Sequence, residues 1–166
     1  MSPVVYLSLG SNLGDRRESL RAAVNAVAEK IEVKAVSSFY ETAPLGFVEQ
    51  PMFLNLAMGA DTRLDPASLL VVLKDVEHRV GRRPTFRWGP RVVDIDILLY
   101  GDEILHSSDL EIPHPHMTER AFVLVPLAEI ALDVRHPVLD VTIQQLRDNV
   151  EGRESVRRVE DGDAPS

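Results

Sequence analysis

Asp94 and Asp96 stand inside the apolar run "RVVDIDILLYG", which extends from Arg91 to Gly101. The run reads as a β-strand, where an unpartnered carboxylate costs on the order of several kcal/mol or shifts its pKa until it is neutral. Residues two apart in a strand share a face, so the two carboxylates lie side by side, ~6–7 Å apart along the chain. Adjacent negative charges repel unless a cation lies between them. A hard divalent ion answers this, and two carboxylates plus the phosphates of a substrate are a usual setting for Mg²⁺. Salt bridges to Arg87 and Arg91 on a half-exposed face are the alternative. Val93, Ile95, Ile97 and Leu99 alternate with the aspartates and are expected on the opposite, core-facing side.

Arg79, Arg82, Arg83, Arg87 and Arg91 crowd the segment before the pair, in a chain whose formal net charge is −8. That overall charge argues against a general nucleic-acid binder, which would carry a basic excess. A local cluster of guanidinium forks suits phosphate oxygens, although a solvated basic face balanced by acids accounts equally well for the charge alone. The common phosphate-binding motifs are absent: there is no G-x-x-x-x-G-K-[ST], no G-x-G-x-x-G after a strand, and no kinase catalytic loop. "GSNLG" has two glycines but no lysine. Any bound nucleotide must therefore be held by arginines and metal.

His114 and His116, in "PHPH", lack a visible third ligand for zinc, so hydrogen bonding to an anion or a base is the better reading. His78 and His136 read as ordinary surface or core residues. Aromatic residues are only 5% of the chain, yet Phe53, Trp88 and Phe122 sit beside the motif segments and could stack a flat ring. Core packing is the alternative for each. Cysteine is absent, which excludes disulfides, thiolate zinc and cysteine nucleophiles and fits a cytoplasmic location.

The elements that must position these residues follow from periodicity. The chain has 166 residues, 45% apolar and 27% charged, as expected for a single folded domain. No apolar run approaches the ~20 residues of a membrane span, and no secretory signal opens the chain. "PVVYLSLG" reads as a strand. A helix follows, with Asp15 and Glu18 spaced as in a capping box and Leu20, Val24, Val27, Ala28 and Ile31 as its apolar stripe. Val33–Thr42 reads as one strand, "APLGFVEQP" as a loop, and Met52–Thr62 as a strand with Phe53, Asn55 and Ala57 on one face. Asp65-Pro66 starts a second helix with Leu69, Leu70, Leu73, Val76 and Val80 buried, ended by Gly81. An arginine-rich loop and the aspartate strand complete βαββαβ. That order predicts a ferredoxin-like α+β fold, an antiparallel sheet with two helices on one face. Beyond it lie a hairpin turn at "GDEIL", a helical "ERAFVLVPLAEI" and a short helix near Thr142–Val150. The chain after Glu151 is charged and poor in apolar residues. One domain over residues 1–160 is expected, with a frayed tail at 161–166.

Several of these segments together resemble one family. "YLSLGSNLGDR", "SSFYETAPLGFVEQPMFLNLA", "GRR…RWGPRVVDIDILLYG" and "IPHPHMTERAFVLVPLAEI" look like 6-hydroxymethyl-7,8-dihydropterin pyrophosphokinases of folate biosynthesis, in the same order from Val4 to Ile130. The resemblance implies transfer of diphosphate from ATP to the hydroxymethyl oxygen of a reduced pterin, releasing AMP. It implies two Mg²⁺ ions on Asp94 and Asp96, and Arg82 and Arg91 approaching the phosphates as their loop closes. The nucleotide is then expected at Glu77, Arg91, Ile97, Glu111, Ile112, His114 and Arg120. The pterin is expected between Phe53 and Phe122, with Thr42 and Asn55 bonding its edge and Leu45 and Trp88 closing the pocket. The implied partners are ATP and the pterin, with neither nucleic acid nor membrane, and a monomer with a weak dimer as the alternative state.

This chain departs from the family's pattern in places. Lys74 replaces an uncharged polar residue, His116 replaces an arginine, and Phe53 stands where a tyrosine occurs. The length of the arginine loop leaves open whether Arg83 or Arg87 assists the phosphates. Two rival functions are a metal-dependent phosphohydrolase using the Asp-x-Asp pair and a ferredoxin-like ligand-binding module without chemistry. The first leaves the aromatic residues and the "FYETAPLG" loop without a purpose.

Overall fold

The computed structural model describes residues 3–12, 14–42, 52–81 and 92–159. In chain order the elements are β1 (Val4–Ser11), α1 (Arg16–Ala28), β2 (Glu32–Val36), β3 (Phe39–Thr42), β4 (Phe53–Asp61), α2 (Pro66–Gly81) and β5 (Asp94–Tyr100). They are followed by β6 (Leu105–His106), β7 (Glu111–Ile112), α3 (Ala121–Ala131), α4 (Ile143–Asn149) and β8 (Val156–Val159). The main sheet runs β5-β1-β4-β3-β8, with β2 also on β4. Every pairing in it is antiparallel. β6 and β7 form a separate two-stranded ribbon. The α+β plan expected from βαββαβ is the one observed.

Period-two alternation decides what each face carries. Val5, Leu7 and Leu9 of β1, Leu54, Leu56 and Met58 of β4, and Ile95 and Ile97 of β5 form one buried face under α1 and α2. Asp15 caps α1 by accepting the Glu18 N–H at 3.1 Å, and Leu20, Ala23 and Val27 are its fully buried stripe. Ala28, expected in that stripe, is exposed, because one turn on from Val24 the helix ends against solvent. Asp65 accepts the Ser68 N–H at 2.7 Å at the start of α2. Leu69, Leu73 and Val76 are buried there, while Leu70 and Val80 pack only partly. The other sheet face meets α3, whose Val123, Leu124, Leu127 and Ala128 pack with Ala57, Leu98 and Leu99. Helices therefore cover both faces.

Two sequence expectations need correction. Val33–Thr42 is two strands, not one. The buried Ser37 breaks it by donating its N–H to Ala57 O at 2.8 Å while its Oγ accepts the Ala57 N–H at 2.9 Å. Leu99 does not continue the Val93-Ile95-Ile97 face. The register steps from Leu7↔Ile97 to Tyr6↔Leu99, so Leu98 is an extra residue and the alternation inverts beyond it, turning Leu99 toward α3. The segment after Glu151 contains β8, which pairs along β3 from Thr42↔Val156 to Phe39↔Val159. The expected tail at 161–166 lies outside the described residues.

Candidate active site

The sheet register brings the candidate residues together. Gly10 of β1 lies opposite Asn55 of β4 on one side and Asp94 of β5 on the other. Tyr40 of β3 lies opposite Asn55, so Asp94, Gly10, Asn55 and Tyr40 make one row across four strands. Asp96, Ser8 and Ala57 form the next row. Phe53 and Thr42 face each other two residues along from Asn55 and Tyr40. Residues paired this way share a face, and strands lie about 4.8 Å apart, so Asp94 and Asn55 are roughly 10 Å from one another. This is the face that α3 covers at Ala57, Leu98 and Leu99. Phe122, in the first turn of α3, packs partly against that cluster and partly against Tyr40.

The chemistry of the row is uneven. Asp94 is exposed and Asp96 half-buried, as two carboxylates offered from a strand should be. Asn55 is only 4% exposed, yet among the described residues its Oδ1 has no hydrogen-bond partner, and the buried Thr42 Oγ1 has none either. Buried polar atoms are nearly always paired, so these two are open to a partner beyond the described residues. Ser11 Oγ is also unpartnered, but its pairing with Leu54 sets it on the opposite face. Phe53 is 36% exposed, a large ring at the edge of the same face.

The aspartates suit a hard cation. Among the described residues no three of His, Cys, Asp and Glu converge as a metal cage. Two strand carboxylates that need further oxygens from a phosphate substrate match the way Mg²⁺ is usually held.

The remaining expected residues lie around this row. The His114 N–H donates to Leu98 O of β5 at 2.9 Å, and its Nδ1 accepts the His116 N–H at 3.1 Å. That contact places the neutral ring's proton on Nε2, leaving it as a free donor. Burial holds the His114 pKa below the ordinary histidine value. The Asp96 carboxylate opposes the shift, Arg120 and His116 add to it, and Glu111 opposes it. The Arg120 guanidinium lies 5.8 Å from the Phe122 ring centroid. Glu111 is exposed, 3.8 Å from His106 Nδ1. Ile97 and Ile112 bury their side chains in the core beneath α1 and α2, so they have only backbone to offer a nucleotide. Lys74 Nζ is 3.4 Å from Glu77 Oε1, and Glu77 Oε2 accepts the Ile95 N–H at 2.7 Å. Leu45, Arg82, Arg83, Arg87, Trp88 and Arg91 lie outside the described residues.

Two contributions are not announced by the sequence. A Cβ on Gly10 would meet Asn55 Nδ2 at 2.6 Å, so the glycine makes room for the amide. Arg16 at the start of α1 donates to Met52 O at 2.6 Å and to Glu41 Oε2 at 2.9 Å, tying the helix to the ends of β4 and β3 beside Phe53 and Thr42. "GSNLGDR" carried both residues, but nothing in its spacing says what they touch.

Comparison with known proteins gives this arrangement a family. The family model described as 7,8-dihydro-6-hydroxymethylpterin-pyrophosphokinase (HPPK) matches residues 6–132. The chain is 43% identical over 143 residues to 2-amino-4-hydroxy-6-hydroxymethyldihydropteridine pyrophosphokinase of Aquifex aeolicus, covering 86% of this chain and 89% of that one. It is 46% identical over 136 residues to the Bacillus subtilis protein of the same name, covering 81% of each. The Dictyostelium discoideum folic acid synthesis protein FOL1 is 42% identical, and there the match spans only 22% of the longer chain. A Plasmodium falciparum HPPK-DHPS structure shares the fold at a TM-score of 0.73 and 20% identity, over 89% of this chain and 43% of that one. With the family model spanning 6–132 and relatives above 40% identity along most of its length, the chain belongs to the 7,8-dihydro-6-hydroxymethylpterin-pyrophosphokinase family.

Proposed function

We propose that this protein transfers the β,γ-diphosphate of ATP to the hydroxymethyl oxygen of 6-hydroxymethyl-7,8-dihydropterin, giving AMP and the pterin diphosphate in folate biosynthesis. The observation that carries the reading is the pair of buried, unpartnered polar atoms, Asn55 Oδ1 and Thr42 Oγ1, on the same sheet face as Asp94 and Asp96. A pterin edge, dense in donors and acceptors, satisfies both, and its flat ring stacks between Phe53 and Phe122. Leu45 and Trp88 close that pocket.

In the reaction the substrate hydroxyl is the nucleophile. A bond forms between its oxygen and the β-phosphorus, the bond from that phosphorus to the α,β-bridging oxygen breaks, and the bridging oxygen leaves on AMP. The hydroxyl proton is released. No side-chain nucleophile is needed, in keeping with a chain that has no cysteine and no convincing triad. Asp94 and Asp96 would hold two Mg²⁺ ions, which neutralise triphosphate charge and polarise the β-phosphorus when bound. Arg82 and Arg91 add positive charge, and His114 and Arg120 contact the nucleotide together with Glu111 and the backbone at Ile97 and Ile112, while Glu77, held from the helix side of β5, makes no direct contact with it. The protein acts as a cytoplasmic monomer. No helix among the described residues is long and apolar enough to cross a membrane.

Incubating the protein with ATP, Mg²⁺ and 6-hydroxymethyl-7,8-dihydropterin is expected to yield AMP and the pterin diphosphate in equal amounts, read by ³¹P NMR and chromatography. Release of phosphate from ATP without the pterin would favour a phosphohydrolase, and no turnover at all would favour a ligand-binding module.

A further inference from the structure

We infer that Glu77 is a positioning residue for the aspartate pair: from α2 it holds the peptide that joins Asp94 to Ile95 and so fixes the direction in which Asp94 points. The inference rests on the reading of Asp94 and Asp96 as the metal-binding carboxylates. Among the described residues β5 is the last strand of the main sheet and pairs only with β1, so its outward N–H groups have no neighbouring strand there. Ile95, between the two aspartates, is 2% exposed and shut off from water. Its N–H donates to Glu77 Oε2 at 2.7 Å. A buried N–H without a partner is rare, and here a side chain from another element fills the place of a strand.

The N–H of Ile95 lies in the plane of the Asp94–Ile95 peptide. Anchoring it fixes ψ of Asp94 and φ of Ile95, and with them the Cα–Cβ direction of Asp94. Glu77 reaches this peptide from the helix side, while the aspartates face away from α2. It can brace the pair from behind without competing as a ligand. Its other oxygen, Oε1, is 3.4 Å from Lys74 Nζ, which leaves Oε2 for the backbone. A carboxylate that is 9% exposed and engaged by a lysine on one oxygen and a backbone N–H on the other has its geometry set from both sides. Groups that orient metal ligands commonly matter to affinity nearly as much as the ligands do.

The test uses the full chain with α,β-methylene-ATP, and Mn²⁺ as the probe metal, with binding read by electron paramagnetic resonance. E77L fills the same volume without an oxygen. It is expected to weaken Mn²⁺ binding by about ten- to hundredfold and to speed exchange of the Ile95 amide. E77Q, whose side-chain carbonyl can accept the same hydrogen bond, is expected to stay within about threefold of the parent protein on the metal measurement. Loss of Mn²⁺ affinity in D94A with none in E77L overturns the inference alone, as does E77Q falling as far as E77L. Retained affinity in D94A overturns the reading of the pair and the inference with it. One check needs no variant: the Ile95 amide exchanges slowly in the parent protein, and free exchange there overturns the inference.

Discussion

Gly10 shows how much of this site is decided by single atoms. It pairs with both Asp94 and Asn55, and the space where its Cβ would sit is taken by the Asn55 amide, 2.6 Å away. Gly10→Ala must push that amide out of place, and with it the bonds proposed for it to the pterin edge. Losing one or two hydrogen bonds at about 1 kcal/mol each predicts a rise in the KM for the pterin of roughly tenfold. Steady-state kinetics with each substrate varied in turn checks this, and an equal rise in the KM for ATP would contradict it. For the aspartates the expected effect is on rate. Asp94→Ala or Asp96→Ala keeps the fold, since neither side chain packs in the core, but turnover falls on the order of a thousandfold or more. Near-normal rates at saturating Mg²⁺, with an unchanged circular dichroism spectrum, would refute the metal role. The aspartates could be read from the sequence because period two puts charges where a core strand should have none. Gly10 and Glu77 could not, because what matters in each is a contact with another element, and that has no signature in spacing.

At the level of elements, helices and central strands announce themselves through regular burial, whereas breaks in regularity are decided by tertiary partners. Ser37 interrupts a β-rich run because its hydroxyl is buried against Ala57, and the extra Leu98 inverts β5 because both Leu98 and Leu99 find room beneath α3. The 135–142 segment after α3 is held in a third way. His136, 6% exposed, accepts the N–H groups of Val138 and Leu139 on Nδ1, each at 3.2 Å. It also donates its own N–H to Val141 O at 2.8 Å. Only an unprotonated Nδ1 can accept, and burial lowers the pKa of this ring from its ordinary 6.5. The folded protein thus binds a proton here less readily than the unfolded chain does. The stability contributed by His136 is complete above pH 6.5 and is lost as pH falls from there through the lowered folded value. The melting temperature is therefore expected to drop on going from pH 7.5 to 5. His136→Asn, which offers a non-titrating oxygen to the same N–H groups, should drop less over that interval. Parallel curves for the two proteins would show that folding does not shift the pKa of the ring.

Across the whole molecule, the family match ends at residue 132, while the sheet does not. β8 is added from beyond it, laying Val156–Val159 along β3, the strand that carries Tyr40 and Thr42. Its sequence gave no hint, for of "VRRV" only Val156 is buried and the two central arginines are exposed, which is no amphipathic stripe. Such a strand is recognisable only once β3 is known to need a neighbour. Charged residues are also what an edge strand requires, since they discourage pairing with another molecule. Ending the chain after Gly152 removes this cover. Losing the burial of Val156 alone, 9% accessible in the fold, costs about 2–3 kcal/mol, or roughly 5–10 °C in melting temperature for a chain of this size. The bare edge of β3 also presents unpaired N–H and C=O groups beside the buried Tyr40 and the half-buried Phe122. The shortened protein is therefore expected to associate in a concentration-dependent way in light scattering more strongly than the full chain does. A melting temperature within about 2 °C of the full chain would mean that β8 contributes little to the sheet it completes.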